Sequence, residues 1–527
     1  MKNETVCTLY PIIYPDAAER NDMDVFYAET KKPDGLSRDG RLNDGFVRSV
    51  WHRMTVNGVD VPVYSARCGK GIHSFAWLDV ETDADPLDLR VTIELLTGDM
   101  RGAVVLPESS NVTADIKDGK ASFVVRAYGN YSLIPDGKPE HAVTLMIAPA
   151  VPLTVPDGWK TVRMTPGRLS KAETAFTEEN TAVIFPAGTY EVASIALASH
   201  TLLYFERGAY VKVYLDGKGD TSHAICTYGA KDVTITGRAL FDFSDIDGSN
   251  AGGTKGVCYD FVWTDGLSVE GLTTVNSHSW TLCLTLSRNV DISRCMFFGY
   301  RTFSDGVMFT NCRDSYAHDC FVRTGDDGME VKANAAEGET ENTVLFEHNT
   351  VWTDKGIGYG VIFEANHDTS GVVFRDNSVG FAQADWSEHL GCCTVQMGSN
   401  KKTTFSDIHF ENIEVYHTDC ALCSVYDRAT DEMSGGKIDR IFFDNVAARH
   451  ASGSAPALRV TMRLWNNAPA ENCSVGDLYL DNISFRGLPL TDRNAPEVVV
   501  NCDPGTAFDR NRIFINTRKN ASSDTII

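Results

Sequence analysis

No run of apolar residues in this 527-residue chain approaches the ~18 needed to cross a bilayer. A membrane partner is therefore not expected. Positive charge is scarce as well, with 48 Lys and Arg against 71 Asp and Glu, a net charge of −23. Such a chain repels phosphate backbones and offers no basic stripe for counterion release, so nucleic acid is not an expected partner either. The opening residues "MKNETVCTLYPIIYPDAAER" lack the apolar segment of a secretory signal. That points to a cytoplasmic protein, the alternative being a secreted one whose signal has been removed. There are 14 cysteines, but they are scattered, and reduced thiols are the simpler reading in a chain long enough to build a large core. Cys420 and Cys423 form a C-x-x-C with no second pair nearby, so zinc or redox chemistry is not expected there. No metal and no organic cofactor is implied, and a homo-oligomer is left open.

What is present is strand. Residues 1–155 show short alternating segments such as "LDLRVTIELL" and "KASFVVRAYG" between Gly, Asp and Pro turns, which predicts a β-sandwich-like domain. The segment "APAVPLTVPDG" at 148–158 reads as a linker. Residues 156–527 have a different texture. An apolar-x-apolar strand recurs there, marked by Ile235, Val269, Ile292, Ala317, Phe346, Phe374, Phe410, Phe443 and Leu480, at steps of 23 to 37 residues. No helical period competes. The spacing suits one coil of a solenoid with loops of variable length, and the amides Asn349, Asn377, Asn412, Asn445 and Asn482 fall where stacked turns could hydrogen-bond along the axis. The fold class expected is all-β: a right-handed parallel β-helix behind an N-terminal β-sandwich-like domain. A large sandwich or propeller would also have many short strands, but a propeller would repeat a fixed four-strand motif.

One stretch, "SDGVMFTNCRDSYAHDCFVRTGDDGMEV", contains an acidic turn twice: Asp305-Gly306 returns 22 residues later as Asp327-Gly328, with Asp326 placed just before it. If the two pairs begin equivalent strands of successive coils, their carboxylates lie roughly 4.8 Å apart along the axis. A single Asp-Gly is ordinary turn chemistry; a doubled one in register with a third acid is a patch. Crowded carboxylates cannot all ionise easily, so one stays protonated near neutrality. A protonated acid beside an ionised one is what glycoside hydrolysis requires. Extending the cassette places Trp280, Asp305, Asp327 and Tyr359 in a row, aromatics flanking acids as in a site for a sugar chain.

The motifs "NSHSWTLCL", "SDGVMF" and "GDDGMEVKA" closely resemble those of the polygalacturonase family, glycoside hydrolase family 28, and of its clan partner, the dextranase and isopullulanase family 49, over residues 180–490. Members are right-handed β-helices and inverting hydrolases of α-linked glycans. The resemblance implies Asp326 as general acid and Asp305 and Asp327 as the bases that hold and activate water. Gly358-Tyr359-Gly360 stands where polygalacturonases have Gly-His-Gly, and the segment "CALCSVYDRA", which stands for their Arg-Ile-Lys, leaves Arg428 as the nearby cation.

Lys332 matches a lysine that follows the family's Gly-Asp-Asp motif, although a solvated rim charge would look the same. Glu364 and Trp386 lie in loops that could reach a sugar, and His278 stands just before Trp280. With Trp280, Tyr359 and Arg428 these complete the expected carbohydrate-binding set. The function expected is an inverting glycoside hydrolase, exo-acting on oligosaccharides. A non-catalytic carbohydrate-binding β-helix is the alternative, and a polysaccharide lyase a weaker one, since no Lys or Arg base lies in register with the acids.

Overall fold

The computed structural model describes residues 7–14, 46–49, 51–69, 71–96, 98–217, 223–246, 256–335, 342–383, 390–398, 402–429, 436–465, 468–469 and 472–517. Among them are strands and short 3-10 turns, and no helix is long and apolar enough to cross a membrane.

From Lys160 onward the chain winds into a parallel β-helix. A typical coil contributes three strands, as in Val307–Thr310, Arg313–His318 and Phe321–Thr324, and each pairs in parallel with its counterpart one coil later. The first strand of each coil belongs to a 12-stranded sheet, and the other two belong to a 23-stranded one. All nine markers read from the sequence fall into one register: Ile235 pairs with Val269, Val269 with Ile292, Ile292 with Ala317, and so on without a slip to Leu480. The reason is the period-2 alternation: a slip of one residue would turn every apolar side chain outward. Inside, Phe346, Phe374, Phe410 and Phe443 stack nearly parallel, with ring centroids 4.8, 4.8 and 5.2 Å apart.

The amides form two ladders rather than the single one expected. Asn349 and Asn377 are buried and bonded through Nδ2 to Oδ1 at 3.1 Å. Asn412, Asn445 and Asn482 lie in an exposed left-handed turn one position earlier in the coil, in line with Asp376. A buried amide must find partners, and the coil geometry provides them one above another.

The described residues between Cys7 and Pro149 form a seven-stranded and a five-stranded sheet facing each other across one apolar cluster that includes Val56, Leu78, Val91, Phe123 and Leu145. The segments "LDLRVTIELL" and "KASFVVRAYG" supply two antiparallel partners, Leu89–Leu95 and Lys120–Val125. The other face of the seven-stranded sheet is apolar too. Tyr64, Phe75 and Trp77 pack there with Phe298, Phe321 and Trp352 on the third face of the coils. Asp79 cements the contact, accepting from Arg207 Nε and Arg238 Nε at 2.7 Å each.

Candidate active site

The acids lie in the turn between the third strand of one coil and the first strand of the next, on the edge of the 12-stranded sheet. The Gly306 amide donates to the Asp327 carbonyl at 2.9 Å, and the Thr281 amide donates to the Asp305 carbonyl at 2.8 Å. Trp280, Asp305 and Asp327 therefore occupy equivalent positions in three successive coils. The glycine beside each acid has a steric reason. A Cβ on Gly306 would run into the Gly328 carbonyl oxygen, and a Cβ on Gly328 into that of Gly358. The acidic turn repeats as Asp-Gly because its coils pack backbone on backbone.

Tyr359 does not join this row. Met329, not Asp327, is its partner, so it sits two residues out of the expected register. It points into the core with no exposed surface, donating its hydroxyl to the carbonyls of Asn349 and Ser378 and packing on Phe374. The residue facing Asp327 is Ile357, whose amide donates to Asp327 Oδ1 at 2.9 Å. The glycines around Tyr359 imitate the Asp-Gly cassette while the chain before it is longer, so spacing alone puts Tyr359 in the row.

Glu330 was missed from the sequence. On the strand Met329–Ala333, Met329 and Val331 belong to the core cluster, so the alternation turns Glu330 and Lys332 outward beneath the acids. Glu330 is nonetheless fully buried, with no N–H or hydroxyl donor on either carboxylate oxygen and the Asp305 carboxyl as the neighbour it can share a proton with. Asp305, Asp327 and Glu330 each bring an oxygen within 4.8 Å of the others. The signal available in "DGMEVKA" was a charged residue between two core positions of a strand, where an apolar one would be easier to bury.

Burial, then the charge of Asp326, then Glu330 push the Asp305 carboxyl well above the usual carboxylate range. Asp327 is driven up by burial first and by Asp326 and Glu330 next. Burial also raises Asp326, opposed by the Phe303 amide, which donates to Oδ2 at 2.9 Å. Glu330 is pushed up by burial to about 7, with the Lys332 ammonium opposing. Lys332 lies 3.8 Å from Glu330 and 3.1 Å from Glu364; burial alone would lower its amine, but those carboxylates outweigh it. The four carboxyls thus hold fewer than four charges near neutrality, and protons are shared among them. The same three oxygens are the donor type of a hard divalent cation. The ammonium of Lys332 already answers part of that demand.

The remaining expected residues divide. Trp280 is partly exposed, packs on Val257, Cys283 and Met308, and has the Lys332 ammonium 5.5 Å from its ring centre. Glu364 is part-exposed and bonded to Lys332. Arg428 lies over the ring of Phe363, 4.1 Å from its centre, with exposed Trp465 at 5.4 Å on its other contact. His278 is fully buried, with Nδ1 on Cys258 Sγ, Nε2 on the Gly256 carbonyl and its ring stacked on Phe243, so it holds a turn and presents nothing to a ligand. Trp386 lies outside the described residues.

A parallel β-helix with a buried carboxylate cluster on one sheet edge defines the class of protein. No protein-family profile matches the chain. A probable polygalacturonase of grapevine, Vitis vinifera, is 25% identical over 208 residues, 33% of this chain and 38% of that relative, so the chain matches well under half of the relative's length. Among solved structures, Dex49A from Penicillium minioluteum superposes with a TM-score of 0.64 at 14% identity, covering 97% of this chain and 99% of that one. A hyperthermoactive exopolygalacturonase from Thermotoga maritima aligns with a TM-score of 0.46 at 15% identity, over 64% of this chain and 94% of that one. The chain is thus similar to polygalacturonase- and dextranase-like β-helix glycoside hydrolases.

Proposed function

We propose that the protein is an inverting glycoside hydrolase of α-linked glycans, with Asp326 as general acid and Asp305 and Asp327 as the bases that hold and activate the attacking water. The observation that carries this is the stacking of Asp305 on Asp327, with Asp326 one residue off the row and all three carboxyls raised by burial. Accepting the Phe303 amide through Oδ2 orients the Asp326 carboxyl, which would carry the proton for the leaving oxygen. Asp305 and Asp327, one above the other, then accept from a single water that meets the anomeric carbon from the opposite side. The β-helix fold shared with Dex49A, a dextranase, supports the reading, as does the local similarity to the grapevine protein. Trp280 would stack on a sugar ring beside the acids, with Lys332 and Glu364 bonding its hydroxyls.

The right hand of the coils, the boundary near residue 155 between an N-terminal β-sandwich-like domain and the catalytic β-helix, and intracellular action from a chain end on oligosaccharides belong to the same proposal. The segment "NAAEGETEN" and the loop carrying Trp386, which would close one end of the site, lie largely outside the described residues. Product profiles on pectic, α-glucan and other α-linked oligosaccharides test the activity, with proton NMR of the first-formed anomer testing inversion. Asp326→Asn should lower turnover by about 10²–10⁴-fold with binding retained, the usual worth of a positioned acid. A variant keeping more than about a tenth of the parent rate rejects Asp326 as the acid. Release of one small unit at every step supports exo action, whereas early mid-chain scission refutes it.

A further inference from the structure

At the far end of the same strands, about six residues or ~20 Å along the sheet from Asp305, lies a cleft of about 400 Å³. Two rows running along the solenoid axis line it. The first row is Gly229, Trp263, Leu286 and Asn311, joined coil to coil by backbone hydrogen bonds from the Gly229, Trp263 and Leu286 amides to the strand ends of the next coil at 2.9 Å each. All four are in left-handed backbone, with φ of 65°, 52°, 52° and 51°. The second row is Lys231, Asp265, Arg288 and Arg313, paired in register across the four coils.

Trp263 is the bulkiest side chain in the left-handed row, which it shares with Leu286 at the same φ of 52°. Left-handed backbone suits Gly and Asn, which occupy two of the four positions, and penalises a bulky side chain. Burial does not compensate, because Trp263 is 43% exposed and meets the 73%-exposed Tyr228 edge to face, with ring centres 4.8 Å apart. A strained, exposed aromatic points to a function rather than to packing. The charged row adds three cations against one carboxylate in a chain of net charge −23. Asp265 is answered from within the row, accepting from Arg288 Nη2 at 2.8 Å. An aromatic face beside cations aligned along one axis fits a sugar chain bearing carboxylates: the ring faces stack and the acid groups pair.

We propose that this cleft binds an acidic oligosaccharide lying along the solenoid axis, one ring on Trp263 and its carboxylates on the Lys231–Arg313 row, as a retention site separate from the acids. The row spans three coil steps, ~14 Å. The choice of a glycan rests on the carbohydrate activity proposed above; the acidic class rests on the cations alone.

The test is affinity electrophoresis of the full chain carrying Asp326→Asn, so that nothing is consumed, through gels containing polygalacturonate or neutral dextran. Trp263→Ala should weaken retention by polygalacturonate at least tenfold, and Trp263→Gly, which suits the left-handed backbone, should do the same with an undiminished melting temperature. Arg313→Gln should weaken retention and flatten its salt dependence. In the chain with Asp326 intact, Trp263→Gly should leave turnover of a short substrate within twofold. Unchanged retention in both Trp263 variants overturns the site, and equal retention by dextran overturns its acidic specificity. Retention lost in the variants of a parent that hydrolyses no glycan supports the cleft while rejecting the enzyme.

Discussion

Glu330 adds to the electrostatics of the site, since it is a fully buried carboxyl with no N–H or hydroxyl donor on its oxygens, next to Asp305 and Asp327. Its folded pKa of about 7 stands above the ordinary 4.5, so between those values the folded state binds a proton that the unfolded chain does not. The stability due to this group is therefore full below about 4.5 and is lost as pH rises through about 7. Glu330→Gln keeps the shape, removes the titration and should raise stability at pH 8 by on the order of 3 kcal/mol relative to the parent. Urea denaturation at pH 4 and pH 8 measures this; an equal ΔΔG at both values would contradict it. Asp305 and Asp327 are shifted in the same direction, so a smaller slope should survive in the variant. With Lys332 supplying a positive charge 3.8 Å from Glu330, a chelator such as EDTA should leave both hydrolysis and melting temperature unchanged. Loss of either on chelation, with recovery on adding a divalent ion, would instead place a cation among the three oxygens.

At the scale of strands and turns, the acids depend on how closely one coil can approach the next. Gly306→Ala would press a methyl group on the Gly328 carbonyl and the Val322 side chain. The coils must part there, costing about 1–3 kcal/mol as overpacking does. Asp305 would then lift off Asp327, so activity should fall further than the stability loss explains; equal melting and equal turnover would show that the turn has slack. Much of this was legible in the sequence. The nine strand markers fall in register because each is an inward residue whose displacement would expose a row of apolar side chains. Asp305, Asp326 and Asp327 came from the same reasoning. Tyr359 was misplaced because spacing cannot reveal how many residues a turn consumes, and the inward or outward sense of a residue depends on that count. Glu330 was overlooked because burial of an outward-facing side chain depends on what covers it from other coils. The doubled amide ladder was hidden for a related reason: Asp376 and Asn377 are adjacent in sequence, and only the turn geometry decides which joins which ladder.

For the whole molecule, the N-terminal sheets meet the acid-bearing turns around a buried ion pair of two neighbouring coils. Arg323 lies on the strand Phe321–Thr324 just before Gly325-Asp326, and Asp354 lies one coil on, two residues beyond Trp352, the register partner of Arg323. They meet at 3.0 Å, almost fully buried. The N-terminal region closes over them: the Gly69 amide donates to Asp354 Oδ2 at 2.7 Å, and the Pro139 carbonyl accepts from Arg323 Nη1 at 3.1 Å. From Asp354 the chain runs directly to the site. Thr353 donates its hydroxyl to the Asp326 carbonyl at 3.0 Å, and a Cβ on Gly356 would overlap the backbone of Asp326 and Asp327. Removing one partner leaves the other charge buried and unpaired, so Asp354→Leu alone should cost about 3–5 kcal/mol. Replacing both partners with apolar side chains removes the uncompensated charge, so Arg323→Met with Asp354→Leu should recover most of that loss. Activity should behave differently. The double variant restores apolar packing but not the acceptor for the Gly69 amide, so the turn beneath Asp326 and Asp327 loses its anchor to the N-terminal sheets while the fold persists. Turnover should stay at least tenfold below the parent in a double variant whose urea midpoint lies close to it. A double variant restored in both would mean that the N-terminal region contributes stability alone, and that the acids hold their places by coil stacking without it.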